Sequence, residues 1–354
     1  MSSPGALAES SQTSGETGIG PPPAVSVHRL WQRFDRTEVL RDVNFEVGRG
    51  EIFGFIGPNG AGKTTTIRVM TTLLAPTFGR VCIDGLDVTT RPSEVQRRVG
   101  YMPDHAGIYE RLTVREYLTF FAETYAERGA HDRAKVEAVV SAVLELTDLG
   151  KLQDKLVPTM SKGMKQRLQL ARTLLHDPHV LILDEPASDL DPRARIEMRD
   201  LICELRRMGK TIFLSSHILT ELADVCTSVA ILERGHVVAQ GSISELGRSI
   251  DLANPNAATL RSEGAPALRL QTTRLRIKST GVDEQTLRTT LAAAGAVSVH
   301  VTGATVLVQH PASDDVISEI VKSLVVAQVG VLGVEPERNE LERIFLEVTQ
   351  GDIQ

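Results

Sequence analysis

The chain of 354 residues has little to stack, to cross-link or to bury in a bilayer. It carries one tryptophan and four tyrosines, too few for the aromatic platforms on which single-stranded nucleic acids stack. Its three cysteines, Cys82, Cys203 and Cys226, stand far apart, so they make neither a zinc-ligand spacing nor a disulfide framework. Each lies in an apolar stretch, which points to reduced, buried thiols in a cytosolic protein. No apolar run approaches the roughly 20 residues needed to span a bilayer. The nearest, "LVVAQVGVLGV" at 324–334, is short and is broken by Gln328 and Gly330. Positive charge is not in excess either. The 39 basic and 45 acidic residues leave a net charge of −6, which argues against a general polyanion binder. Residues 1–24 are rich in Ser, Gly, Thr and Pro, with neither a basic start nor an apolar core. They read as a disordered tail rather than a secretory leader.

What is present is an alternation of strands and helices. "AVSVHRLWQRF" and "VLRDVNFEVGRG" alternate apolar and polar residues, as half-buried strands do. "EIFGFIG" is a buried strand running into a glycine-rich turn, and "KTTTIRVMTTLL" follows as a helix. Pro92 stands early in another helix, where its missing N–H costs nothing. Residues 113–176 turn almost wholly helical. "TVRE" at 113–116 fits a capping box built by Thr113 and Glu116. Val136, Val139, Val140, Val143 and Leu144 fall on one helical face, and Met164, Leu168, Ala171 and Leu175 on another. The strands "HVLILDEP", "TIFLSSH", "SVAILE" and "HVVAQG" then alternate with helices, the pattern of a parallel sheet covered on both faces. Periodicity fades over 247–267, a linker. Beyond it the order strand 268–278, helix 283–294, strands 296–302 and 304–309, helix 313–327 and strand 330–335 is the βαββαβ pattern of ferredoxin-like domains, with a last helix at 338–349.

Two motifs carry chemistry. "GPNGAGKT", residues 57–64, matches G-x-x-x-x-G-K-[ST] between a strand and a helix. Gly57, Pro58, Asn59, Gly60, Ala61 and Gly62 form a loop whose N–H groups converge on phosphate oxygens, aided by the helix N-terminus. Lys63 reaches the outer phosphates, and the Thr64 hydroxyl, with Thr65 beside it, suits Mg²⁺. "LILDEP" ends a buried strand in two carboxylates. Asp184 suits a Mg²⁺ ligand and Glu185 a base that polarises water.

"TMSKGMKQRLQLARTLL" just before "VLILDEP", then "SDLDP", then "LSSH", resembles the nucleotide-binding domain of ABC transporters over roughly residues 25–245. The resemblance implies an α/β fold of the P-loop NTPase, ABC ATPase type. Its parts are a RecA-like parallel core sheet, an antiparallel β subdomain and a helical subdomain at about 110–176, here followed by a ferredoxin-like α+β domain. The organisation expected is a tail at 1–24, an ATP-binding domain at 25–246, a linker at 247–267 and an accessory domain at 268–354. ATP and Mg²⁺ are the implied cofactors, with Thr64, Asp184 and Asp104 toward the metal. The family's signature reads here Met160-Ser161-Lys162-Gly163-Met164, a variant similar to that of type-two, drug- and polysaccharide-exporting subfamilies. Ser161 and Gly163 open a helix and, by resemblance, meet the nucleotide bound to the other protomer of a head-to-tail dimer. Phe34 falls where the family stacks an aromatic on adenine, and His217 where a switch histidine touches the γ-phosphate. In the D-loop, Asp191 holds the acidic position and Asp189 stands where glycine is common.

The implied activity is ATP hydrolysis that drives export through a separate transmembrane permease. The chain would sit peripherally on the cytoplasmic face, paired with itself or a paralogous ATPase, with no nucleic-acid partner. The alternatives are an ABC ATPase acting in translation or on DNA, and a regulatory ABC protein. "VGYMPDHAG" raises one more expectation. Asp104 occupies the position usually held by the Q-loop glutamine, with 100–104 falling where a loop contacts the membrane partner. Its shorter, charged side chain suits contact with Mg²⁺ through water. His105 beside it suggests a metal pair, but no further ligands cluster there in sequence.

Overall fold

The computed structural model describes residues 22–104, 107, 109, 111–125, 132–253, 272–280, 284–296, 298–302, 305–311, 314–336 and 340–349. Residues 1–21, most of the expected tail, and His105 of the suggested metal pair lie outside the described residues.

Three sheets organise the described residues. The first is antiparallel and comprises β1 (Val25–Phe34), β2 (Thr37–Val47), β4 (Phe78–Ile83) and β5 (Leu86–Asp87), in the order β2-β1-β4-β5. The expected alternation of β1 is broken at a bulge between Val27 and Leu30, where Arg29 takes φ 50°. A second sheet of six strands contains β3 (Ile52–Ile56), β6 (Val99–Met102), β7 (Val180–Asp184), β8 (Thr211–Ser216), β9 (Ser228–Glu233) and β10 (His236–Ser242). Its order is β10-β9-β3-β8-β7-β6, all parallel except β10. Every residue of β3, β7 and β8 is buried, which accounts for their unbroken apolar runs.

Helices α1 (Lys63–Met70), α2 (Pro92–Arg98), α3 (Val114–Tyr125), α4 (Arg133–Leu146), α5 (Lys162–Leu174), α6 (Pro192–Arg207), α7 (Leu219–Ala223) and α8 (Ile243–Ala253) complete this part. Pro92 is the first residue of α2, as its ring favours. The capping box at α3 forms in full: the Thr113 N–H donates to Glu116 Oε2 at 2.8 Å, and the Glu116 N–H to Thr113 Oγ1 at 3.3 Å. On α4 the buried face is Val140, Val143 and Leu144, while Val139 faces outward. The valine-rich sequence overstated that stripe, because a run of valines leaves the edge of the face undefined. Residues 247–253, read as the start of a linker, instead continue α8.

One face of the six-stranded sheet meets the antiparallel sheet through Phe45, Phe53, Phe55 and Phe213, whose ring centroids lie 5.3–5.9 Å apart. The two sheets are also pinned by Asp84, whose carboxylate is 2% exposed. It meets Arg49 at 2.8 Å, His179 at 2.9 Å and Arg98 at 3.5 Å. Such partners offset the cost of burying a carboxylate.

The third sheet holds β11 (Thr272–Thr280), β12 (Ser298–Thr302), β13 (Thr305–Pro311) and β14 (Gly330–Pro336), in the order β12-β13-β11-β14. With α9 (Glu284–Ala293) and α10 (Asp314–Val326) on the chain between them, this is the βαββαβ arrangement, around its own core of Leu275, Ile277, Leu291, Val306, Val308 and Ile320. Helix α11 (Glu340–Val348) does not join that core. Its Leu341 and Ile344 are fully buried in the cluster that covers the other face of the six-stranded sheet, against α7 and α8.

Candidate functional site

Parallel register gathers the chemistry at one edge. Ile56 pairs with Ser216, Asp184 with Ser215, and Met102 with Leu183. The chain therefore leaves β3, β6, β7 and β8 on the same side, at the carboxyl ends where open α/β sheets hold ligands. A pocket of about 420 Å³ opens there. Pro58, Asn59, Gly60, Gly62, Lys63, Thr64 and Thr65 line it, opposite Asp104, Asp184, Glu185 and His217. The sequence-predicted groups thus converge on one concavity. Gly57 and Ala61 stand behind it and shape the loop: a Cβ on Gly57 would lie 2.4 Å from the Leu232 carbonyl oxygen. Gly62, at φ 113°, caps α1 in a conformation that disfavours any side chain.

Lys63 is 7% exposed, and its ammonium donates to the carbonyls of Gly57 at 2.7 Å and Pro58 at 3.3 Å. Glu185 Oε1 lies 3.9 Å away. Burial holds the Lys63 pKa below the usual lysine value, against the opposing pull of Glu185 and Asp184. Glu185 begins the turn after β7 at φ 50°, which a non-glycine residue adopts only under tertiary constraint. Its N–H donates to Ser215 Oγ at 3.2 Å, and its Oε2 lies 2.8 Å from His217 Nδ1. A carboxylate next to an imidazole and an ammonium can accept a proton from a bound water.

Asp184 accepts the Ser215 hydroxyl at 2.6 Å. Burial raises its pKa, with the Asp104 charge adding to the rise, while the Ser215 and Thr64 hydroxyls and Lys63 oppose it. Asp104 in turn accepts the Ser188 hydroxyl at 3.3 Å. Asp184→Asn would keep the shape and the Ser215 partner while removing a desolvated charge. The ligand-free variant is expected to melt about 2–4 °C higher at neutral pH, the shift that ~1 kcal/mol gives in a cooperative unit of about 150–250 residues. Because the folded-state pKa is raised, acidification through it favours the wild-type fold, so the gain should shrink as pH falls. Thermal melts at pH 7.5 and pH 5 check this, and an unchanged or lower melting point would show that Asp184 is not under strain.

The remaining predicted residues lie elsewhere. Phe34 ends β1 with an exposed ring and does not line the pocket. Ser161 caps α5, accepting the Met164 N–H at 3.4 Å, and Gly163 packs against α6, where a Cβ would approach Ala194 Cβ to 2.9 Å. Of the 100–104 stretch expected to face a membrane partner, Val99–Met102 forms β6, with Gly100 and Met102 buried. Asp191 serves as the N-cap of α6, accepting the Ala194 N–H at 2.9 Å. Sequence reasoning missed Ser188, Ser215 and the pairing of Asp189 with Lys162 at 2.7 Å. "SSH" held a signal for Ser215, since the residue opposite Asp184 in the neighbouring strand must satisfy a buried carboxylate. The free thiols Cys82, Cys203 and Cys226 are buried or half-buried, and burial pushes the Cys226 thiol up.

The comparisons agree with this geometry. The family model described as ABC transporter matches residues 40–188. The ABC transporter ATP-binding protein NatA of Bacillus subtilis (strain 168) is 35% identical over 213 residues, covering 60% of this chain and 85% of that protein. The Nod factor export ATP-binding protein I of Burkholderia thailandensis is 37% identical over 248 residues, covering 68% of this chain and 80% of that one. Among solved structures, an ATP-binding subunit of an ABC transporter superposes with a TM-score of 0.58 at 34% identity, over 65% of this chain and 94% of its own. A phosphate loop facing a carboxylate pair and a histidine across one pocket, on a chain with these relatives, makes this protein a member of the ATP-binding subunits of ABC transporters, an ATPase.

Proposed function

We propose that this chain energises export, with Glu185 as the base that polarises the attacking water. The observation that carries the hydrolytic assignment is the Glu185 carboxylate, held 2.8 Å from His217 Nδ1 and 3.9 Å from the Lys63 ammonium in one pocket. Lys63, freed from the loop carbonyls, offsets charge on the outer phosphates of ATP, and His217 orients Glu185. Thr64, Asp184 and Asp104 present only oxygen atoms, and the Asp104 charge adds to the rise in the Asp184 pKa, a repulsion that a divalent cation held by these residues would offset. Among the described residues no three His, Cys, Asp or Glu side chains form a metal cluster, so the substrate phosphates would complete such a site. That set fits Mg²⁺, which when bound neutralises phosphate charge. Ser161 and Gly163, at the open N-terminus of α5, are assigned to the nucleotide of a partner protomer, and Phe34 to the adenine. The division into an ATP-binding unit at 25–246 and an accessory unit at 268–354 belongs to the same reading, with the last helix of the accessory unit, α11, docked on the ATP-binding unit.

Export is supported by the relative named for Nod factor export and by the "MSKGM" signature. No helix among the described residues is long and apolar enough to cross a membrane, and the permease in this reading is a separate chain. An exposed aromatic pair, Tyr109 and Phe120 with ring centroids 5.7 Å apart, offers it an apolar contact near the Asp104 loop. Placement on the cytoplasmic face follows from the same reading. The test is recovery of the tagged chain from its own cells. It should come down from the membrane fraction with a multi-span membrane protein, whereas recovery with ribosomes or DNA would sink the export reading.

Asp104 supplies a finer test. Asp104→Gln should leave ATP affinity within about threefold of wild type, since Asp104 meets the loop only across the pocket. It should change how strongly the permease stimulates hydrolysis. Equal stimulation of mutant and wild type in reconstituted vesicles would exclude a coupling role for Asp104.

A further inference from the structure

Behind the site, α6 and α7 face one another across a second cavity, of about 320 Å³. Each helix is attached to one member of the Glu185–His217 pair. Glu185 leads through Pro186 and Ala187 into the turn that starts α6, and His217 is followed within two residues by α7. Pro186, Ala187 and Ser216 form part of the cavity wall, so the cavity adjoins the backbone of both groups. Beside the cavity, Met198 and Ile202 on α6 and Leu222 on α7 belong to one buried apolar cluster.

What crosses it is charge. Arg195 Nε on α6 lies 3.3 Å from Glu221 Oε1 on α7. Both atoms are buried from solvent and make no conventional hydrogen bond among the described residues, so the ion pair is what compensates them. One turn further along α6, Arg199 lies 3.8 Å from Asp224, the residue that follows α7, in a more exposed pair. We propose that the Arg195–Glu221 pair is a strut that fixes the spacing of α6 and α7 and thereby positions Glu185 against His217. The inference rests on the reading of those two residues as the hydrolytic pair. Glu221 is also within electrostatic reach of them: burial raises its pKa, Glu185 adds to the rise, and Arg195 and His217 oppose it. Removing Arg195 would therefore leave a half-buried carboxylate facing Glu185 with its main counter-charge gone. Arg195 and Glu221 are positioning residues; neither lines the nucleotide pocket.

The test uses the full-length chain and measures kcat, KM for ATP and nucleotide affinity. Glu221→Gln and Arg195→Gln should each lower kcat about tenfold, well short of the 10²-fold that a 1 Å misplacement can cost. KM and affinity should stay within about twofold. The exchange Arg195→Glu with Glu221→Arg should recover kcat to within about threefold of wild type, as paired residues couple. Arg199→Gln, in the exposed pair, is the control and should keep wild-type kcat. Wild-type kcat in both Gln variants, a parallel loss of nucleotide affinity, or an exchange no better than the single changes would overturn the strut. Glu221→Asp, which keeps the charge on a shorter side chain, is the milder form of the test. A fall in kcat alone supports the strut, and an unchanged kcat overturns it. If Glu185→Gln is inactive while the strut variants match wild type, only the strut fails. If Glu185→Gln hydrolyses ATP normally, the base assignment fails whatever the strut variants do.

Discussion

Glu185→Gln should bind ATP and scarcely hydrolyse it, with turnover lowered by about 10²–10⁴-fold, the range that a positioned general base supplies. The substitution keeps the volume that fits against His217 and the backbone N–H bond to Ser215. It removes the one property the chemistry needs, a carboxylate able to take a proton from water. Nucleotide affinity should hold or rise. Glu185 is one of two carboxylates drawing on the Lys63 ammonium, and its neutralisation leaves that cation freer to meet phosphate. A protein that binds ATP without consuming it should also accumulate as the closed pair of protomers, visible as an earlier peak in size-exclusion chromatography with ATP. Phosphate release at the wild-type rate would show that Glu185 is not the base.

Lys63→Ala should have the complementary phenotype, lost binding. A charge-assisted hydrogen bond contributes about 1.5–3 kcal/mol, and each 1.4 kcal/mol is tenfold in affinity, so ATP binding should weaken about 10- to 100-fold. Electrostatics beyond that bond act in the same direction. Without the ammonium, Asp104, Asp184 and Glu185 face an incoming polyanion across the same pocket. The loop itself should survive, because the Thr66 N–H still closes the first turn of α1 on the Gly62 carbonyl at 2.9 Å. Calorimetric titration with ATP measures the effect, and unchanged affinity would remove the phosphate-loop reading.

The two predictions differ in how much of their basis could be read from sequence. The phosphate loop was legible because its positions carry separate chemical duties: room for a close backbone approach at Gly57, conformational freedom at Gly62, charge at Lys63, a hydroxyl at Thr64. The buried strands were legible because both of their faces are covered, so hydrophobicity is unbroken. The partners of the site were harder. Ser188 and Ser215 are common residues whose roles depend on which strand lies beside which, and that adjacency is not local information. The bulge at Arg29 and the outward turn of Val139 escaped for a related reason: apolar spacing marks a face but not its edges or its interruptions. The end of the chain was read as one unit, since nothing in "NELERIFLEVTQ" announces that its apolar side belongs to a distant core.

The docking of α11 has a topological consequence. The α+β unit is an insertion rather than an appendage: the polypeptide leaves the ATPase body after α8 and returns to it as α11, which packs beside α8. Cutting the chain after α8 would strip Leu341 and Ile344 from a core they help to close, whereas splicing α8 to α11 would excise the same unit and leave that core whole. The core that covers this face of the six-stranded sheet is accordingly discontinuous in sequence, with its final helix supplied from the far side of another fold.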